Sequence, residues 1–235
     1  LSQSTVYCGI QDHLGYMWFG TDDGLNCFDG LQFKVYHHKP DDSTSLSNNR
    51  VMSILEDSDN NLWIGTIGGG LNLFQRAKDN FIAINNVACS KNSIIDDRVM
   101  ALWEDKSGKI WIGTSEEGVS VFDRKTGQLK NYRHNAMDTN SLPGNLVRAV
   151  FASNNGSIFI GTSKGLCEFN PQNETFTPIV HNLPENHSLP LNAVRKIISD
   201  SKGNIWFTLE NSGVVVYNQK EKNCTRLLHD PNNDN

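Results

Sequence analysis

Leu62-Trp63-Ile64-Gly65-Thr66 returns four more times along the chain, in near-identical or related form. The other copies read Met17-Trp18-Phe19-Gly20-Thr21, Ile110-Trp111-Ile112-Gly113-Thr114, Ile158-Phe159-Ile160-Gly161-Thr162 and Ile205-Trp206-Phe207-Thr208-Leu209. Their central aromatics are spaced by 45, 48, 48 and 47 residues. Six or seven residues later each copy carries a glycine and an apolar residue: Gly24-Leu25, Gly70-Leu71, Gly118-Val119, Gly165-Leu166 and Gly213-Val214. An aromatic follows three residues on, at Phe28, Phe74, Phe122, Phe169 and Tyr217. Self-similarity at this period marks a repeat architecture.

Working outward, each copy resolves into four short strand-like segments. The first is apolar and rich in β-branched residues: Val51–Leu55, Val99–Trp103, Val147–Phe151 and Val194–Ile198. A turn signal comes next, as in Asp12-His13-Leu14-Gly15, Asp57-Ser58-Asp59-Asn60 and Asp105-Lys106-Ser107-Gly108. Ser153-Asn154-Asn155-Gly156 and Asp200-Ser201-Lys202-Gly203 complete the set. Aspartate or serine opening the turn, with glycine or asparagine closing it in the left-handed region, is turn chemistry, and that reading is preferred to a carboxylate site. The Trp-Ile-Gly-Thr run is the second strand and the Gly-Leu run the third. A shorter polar fourth strand follows, as in Phe33–Tyr36 and Leu129–Tyr132. No segment has a capped helical period, so the chain is all-β.

Four antiparallel strands over about 45 residues are a β-propeller blade. Five blades are expected, over about residues 1–45, 46–93, 94–141, 142–188 and 189–235. One twisted sheet has two apolar faces and needs neighbours to cover them. The repeated tryptophan belongs between sheets, and truncating a buried one would cost about 3–5 kcal/mol.

Charge and composition narrow the partners. The 235 residues carry a net charge of −5 and no dense basic run, which argues against nucleic acid or an anionic membrane surface. No apolar stretch reaches the length of a membrane span. The five cysteines (Cys8, Cys27, Cys89, Cys167, Cys224) lack a Cys-x-x-Cys pair and read as small buried hydrophobes. Histidine follows the fourth strand at His38, His134, His181 and His229. These four are read as loop-opening residues, because zinc requires convergent ligands. No phosphate loop, nucleophile elbow or metal-spaced cluster is present, so neither a catalytic residue, a metal nor a cofactor is expected.

The pattern Val-x-x-Ile-x-x-Asp-x-x-Gly-x-Ile-Trp-Ile-Gly-Thr-x-x-Gly-Leu-x-x-Phe, with the spacer Ser45-Leu46-Ser47-Asn48-Asn49-Arg50-Val51, resembles the two-component regulator propeller repeat. Echoes of the spacer stand at Ser141-Leu142 and Ser188-Leu189. The resemblance implies seven-bladed propellers in the periplasmic part of hybrid sensor histidine kinases. Many of those belong to gut Bacteroidetes and detect glycan-derived oligosaccharides. Leu1–Val6 aligns with Leu46–Val51, and Leu228–Asn232 with His37–Asp41. Both ends thus fall at the same point of the repeat, and a seven-bladed ring would need about 330 residues at this period. The chain is therefore read as five blades of a longer array. Its partners would be the remaining blades and kinase part of the same polypeptide, and its open faces would favour self-association.

Binding on a propeller belongs to loops held by a rigid scaffold. The inter-blade loops and the second-to-third-strand loops open on one face. The candidate ligand residues are the arginines at the start of the innermost strand (Arg50, Arg98, Arg148, Arg195) and the charged loop residues Asp22, Asp23, Glu116, Glu117, Lys164 and Glu210. A mixed charged rim suits an oligosaccharide or another small ligand. The alternatives are a propeller-scaffold enzyme (a lyase or glycan hydrolase) and a spacer propeller without a ligand. Asp-x-x-Gly-x-Ile-Trp-Phe-Thr in the last copy resembles streptogramin lyase repeats, which is what raises the lyase reading.

Overall fold

A computed structural model describes residues 1–85, 93–153, 155–179 and 193–227. Cys89, His181, Ser188, Leu189, His229 and the Leu228–Asn232 alignment lie outside the described residues. Among the described residues, twenty strands form five four-stranded antiparallel sheets, each in simple sequential order. Blade 1 comprises β1 (Val6–Gln11), β2 (Met17–Thr21), β3 (Gly24–Phe28) and β4 (Phe33–Tyr36). Blade 2 has β5 (Val51–Glu56), β6 (Leu62–Thr66), β7 (Leu71–Gln75) and β8 (Asn80–Ile84). In blade 3 run β9 (Val99–Glu104), β10 (Lys109–Thr114), β11 (Val119–Asp123) and β12 (Gln128–Tyr132). Blade 4 is β13 (Val147–Ala152), β14 (Ile158–Thr162), β15 (Gly165–Asn170) and β16 (Thr175–Pro178). Blade 5 is β17 (Val194–Ser199), β18 (Ile205–Leu209), β19 (Gly213–Asn218) and β20 (Asn223–Leu227). The innermost strands pack in succession, β1 on β5, β5 on β9, β9 on β13 and β13 on β17.

Side-chain alternation gives each blade two different faces. One carries the repeated aromatic and looks to the next blade; the other carries the residue after it and looks back. Trp18 therefore packs with Ile54, Ile64, Phe74 and Phe81 of blade 2. Trp63 packs with Val99, Leu102, Ile110 and Ile112 of blade 3, and Trp111 with Val150, Ile158, Ile160 and Phe169 of blade 4. Phe159 joins Ile197, Ile205 and Phe207 of blade 5. The four inter-blade cores are thus built to one plan.

The glycine after the tryptophan follows from that plan. A Cβ on Gly113 would stand 2.7 Å from Val147 Cγ1 and 2.9 Å from the Val147 carbonyl oxygen. The next blade's leading valine takes the space a side chain would need. The glycine before the third strand has another cause: Gly118 holds φ +106°, and a Cβ there would lie 2.2 Å from the Tyr132 carbonyl oxygen.

The outermost faces have no neighbour among the described residues. Phe19 is only half-buried, whereas its equivalents Ile64, Ile112 and Ile160 are fully buried. At the other end Trp206 is half-buried and Ile198 is 61% exposed.

The turn aspartates do more than cap. Asp57 Oδ1 accepts from the Asp59 and Asn61 backbone N–H groups, at 3.0 and 2.9 Å. Its Oδ2 accepts the Trp63 indole N–H at 2.7 Å. The same indole bond joins Trp18 to Asp12, Trp111 to Asp105 and Trp206 to Asp200. Blade 4 has no indole at this place, and there Phe159 is matched by Ser153. Acid and indole are absent from the same blade.

A candidate ligand-binding face

Hairpin alternation puts the inter-blade loops and the second-to-third-strand loops at one end of every blade. Gly24 N–H donates to Asn49 O at 2.7 Å, and Gly70 and Gly118 repeat the bond to Asp97 O and Asn145 O at 2.9 Å each. These loops of blades 1, 2 and 3 are thereby each tied to the inter-blade loop that leads into the following blade. Buried polar residues of the third strands anchor the inter-blade segments. Asn26 Oδ1 accepts from Ser2 N–H, Asn72 Oδ1 from Ser47 N–H, and Ser120 Oγ from Ile95 N–H. The repeated histidine is a staple within its own loop. His38 donates its backbone N–H to Asn49 Oδ1 and sets Nδ1 2.8 Å from Leu46 O. His134 does the same with Asn145 and Leu142.

Three ionic groups stand on this face. Arg50 Nε lies 3.0 Å from Asp22 Oδ1, Tyr7 donates its hydroxyl to Asp22 Oδ2 at 2.8 Å, and the guanidinium sits over the Tyr7 ring. Arg98 Nε donates to Asp96 Oδ1 at 2.9 Å and pairs with Glu116, whose N–H donates to Asp96 Oδ2. Bonding first to Asp96 and then to Glu116 holds the Arg98 pKa above its ordinary value. Glu210 of blade 5 accepts from Arg195 of its own blade and, at 2.9 Å, from Arg148 Nη1 of blade 4. Those two bonds, Arg195 first, keep the Glu210 carboxyl below the usual range.

Of the ten candidate residues, seven fall in these groups. Glu117 pairs instead with Arg133 at 3.2 Å, and Asp23 with His37 at 3.4 Å. Lys164 stands apart, its backbone N–H bonded to Thr162 Oγ1. The four arginines occupy two registers and not one. Arg50 and Arg98 precede the leading valine of their blades, whereas Arg148 and Arg195 follow it. The strand pairing skips a residue just after that valine in every blade, at Tyr7, Met52, Met100, Arg148 and Arg195. Such bulges re-aim a side chain. Arg148 accordingly also lines a cavity of about 230 Å³ at the hub, with Met52, Met100, Trp103 and Lys196. Sequence reading missed Tyr7, Asp96 and Arg133. The Asp96-Asp97-Arg98 triplet was the visible signal for Asp96; Tyr7 and Arg133 had none.

Burial raises the thiol of Cys27 to about 11 and those of Cys8 and Cys224 to about 12, and it raises Cys167 as well. Burial thus keeps these thiols protonated and nucleophilically quiet.

A family profile described as two component regulator propeller matches residues 45–68, which run through the spacer, β5 and β6. That segment matches the two-component regulator propeller repeat. A stretch of 47 residues is 57% identical to Histidine kinase P4 of Formosa agariphila, covering 20% of this chain and 3% of that protein. Two solved extracellular domains from B. thetaiotaomicron share the architecture. That of a hybrid two-component system is 25% identical with TM-score 0.61, over 99% of this chain and 36% of its own length. That of a one-component system is 23% identical with TM-score 0.77, over 96% and 31%. The chain thus spans about a third of these domains and a small part of the kinase. It is similar in fold to part of these extracellular domains.

Proposed function

We propose that the chain is the extracytoplasmic, periplasmic ligand-sensing part of a hybrid two-component sensor histidine kinase, and that its loop face takes a glycan-derived oligosaccharide. The observation that carries this reading is the Arg148–Glu210–Arg195 group beside the hub cavity. Guanidinium groups fixed at strand bulges, and a carboxylate in the turn after β18, offer donors and an acceptor to sugar hydroxyls without much ordering cost. A uronic acid would meet the two arginines by displacing Glu210. Blades and a kinase part elsewhere in the polypeptide would receive the signal, and the uncovered faces of blades 1 and 5 are where such blades would pack. The enzyme reading leaned on the aspartate turns; the structure commits those carboxylates to turn N–H groups and, in four blades, to indoles.

Calorimetric titration with neutral and uronate oligosaccharides tests the reading. Saturable binding that weakens at least tenfold in Arg148→Ala and Arg195→Ala is the expected result. Binding untouched by both substitutions would place the site elsewhere and refute it.

A further inference from the structure

At the end of the blades opposite the loop face, neighbouring blades are clasped by arginine. Arg76 of blade 2 donates from Nη1 to Asp12 of blade 1 at 2.8 Å and from Nη2 to Glu56 at 2.8 Å. Arg124 of blade 3 does the same one junction on. Its Nη1 reaches Asp57 Oδ2 at 2.8 Å and Asp59 Oδ2 at 2.6 Å, its Nε donates to Gly108 O, and Nη2 pairs with Glu104. The receiving aspartates Asp12 and Asp57 are only 5% and 4% exposed. Each carboxylate is shaped by its turn and indole, and each holds a guanidinium.

The third junction has the receiving half and lacks the arginine. Asp105 accepts from Ser107 N–H and Oγ, from Lys109 N–H and from the Trp111 indole, as its counterparts do. At the position of Arg76 and Arg124, blade 4 has Pro171, and at that of Glu56 and Glu104 it has Ala152. Asp105 is half-buried where its counterparts are buried, and it opens into a cleft of about 350 Å³. Asp105, Ser107, Asp123, Pro171 and Glu174 line it, with Trp111 at its base. Two lysines also line the cleft. Lys130 is bonded to Glu174, and among the described residues neither ammonium is paired with Asp105, so neither replaces the missing clasp. The fourth junction is chemically different, since Ser153 and Gln219 make it neutral and Gln219 Oε1 accepts from Asn155.

We propose that the cleft between blades 3 and 4 is a binding site for a small cation bearing a guanidinium group, which Asp105 receives as Asp12 and Asp57 receive Arg76 and Arg124. Planar N–H donors suit this carboxylate because its other bonds fix its plane and leave Oδ2 facing the cleft. The site is independent of the loop-face reading, and its test does not involve a sugar.

Methylguanidinium is the probe, and ¹⁵N-resolved indole N–H resonances are the readout, because the Trp111 indole is bonded to the receiving carboxylate. Millimolar methylguanidinium should shift the Trp111 resonance saturably and leave Trp18 and Trp63, whose aspartates are already clasped, in place. Tetramethylammonium at equal ionic strength has no N–H donor and should move none of them. Asp105→Asn should weaken the effect roughly tenfold. Pro171→Arg, which supplies the guanidinium from within, should abolish it while keeping the fold. The proposal is overturned if Trp111 does not saturate, if it moves in step with Trp18 and Trp63, or if the Pro171→Arg protein responds like the parent.

Discussion

Arg124→Ala is the substitution on which the clasp stands or falls. The Arg124 side chain is 12% exposed, and that of Asp57, its partner across the blade junction, is fully buried. Removing the guanidinium leaves a charge out of water without its cation, a change that costs about 3–5 kcal/mol when a buried pair loses one member. Asp57 keeps the Trp63 indole and the Asn61 N–H, so the lower end applies, about 3 kcal/mol. For a chain of this length that is a fall in melting temperature of roughly 6–12 °C. Lys34→Ala provides the contrast, because the Lys34–Asp79 pair also joins blades 1 and 2 but both side chains are about half exposed. Exposed pairs of that kind contribute less than about 1 kcal/mol. Thermal and urea unfolding of both variants, with Asp57→Asn added to Arg124→Ala, completes the measurement. Asp57→Asn should be far less harmful in the arginine-free background, since it removes the stranded charge. If Arg124→Ala destabilises no more than Lys34→Ala, or if the two substitutions are additive, the clasp is an ornament of the surface.

Gly113→Ala should cost about 1–3 kcal/mol by overpacking against Val147, and Val147→Ala should recover part of it; urea midpoints falling by the sum would contradict the shared space. Asp200 is held down to about 2, first by its bond to the Trp206 indole and then by Asn204. A folded-state pKa below the unfolded 3.8 means that its contribution is complete above that pH and fades as pH falls towards 2; urea midpoints should drop across that window, less so in Asp200→Asn, and a rise would refute the assignment. The aromatic-bearing face of blade 5 and the Phe19 face of blade 1 are the two halves of the interface repeated inside the molecule, so copies should join head to tail. Sedimentation should show mass rising with concentration and Ile198→Glu abolishing the rise; a constant monomer mass at high concentration would refute it.

Much of the fold was legible because each blade solves the same packing problem with the same residues. The spacing of Trp18, Trp63 and Trp111, the valine that leads each innermost strand and the turn aspartates follow from one repeated interface. Strand ends shifted by a residue, as where β5 runs on to Glu56, whose carboxylate serves Arg76 of its own blade and His13 of blade 1. The clasp itself was invisible, since Arg124 lies 67 positions from Asp57 and no local pattern links them. Phe159 with Ser153 was a readable hint, because the indole and its acceptor vanish from the same copy. The loop-face candidates were found by type but misaligned: counting arginines near a strand start merged Arg50 and Arg98 with Arg148 and Arg195, and only the bulge separates them. Apart from Asp96, two residues before Arg98, their carboxylate partners come from other loops, whose approach depends on tertiary placement.

The inequality of the four seams has a consequence for how the molecule comes apart. In a linear array where each unit touches only its neighbours, local opening follows the weakest links from a free end. The N-terminal seams are riveted by arginine on buried carboxylates, whereas the third has the exposed Lys130–Glu174 pair and the fourth the Arg148–Glu210 pair and one amide bond. Warming should therefore peel the C-terminal sheets away first, and a three-bladed N-terminal remnant should keep its amide protons longest.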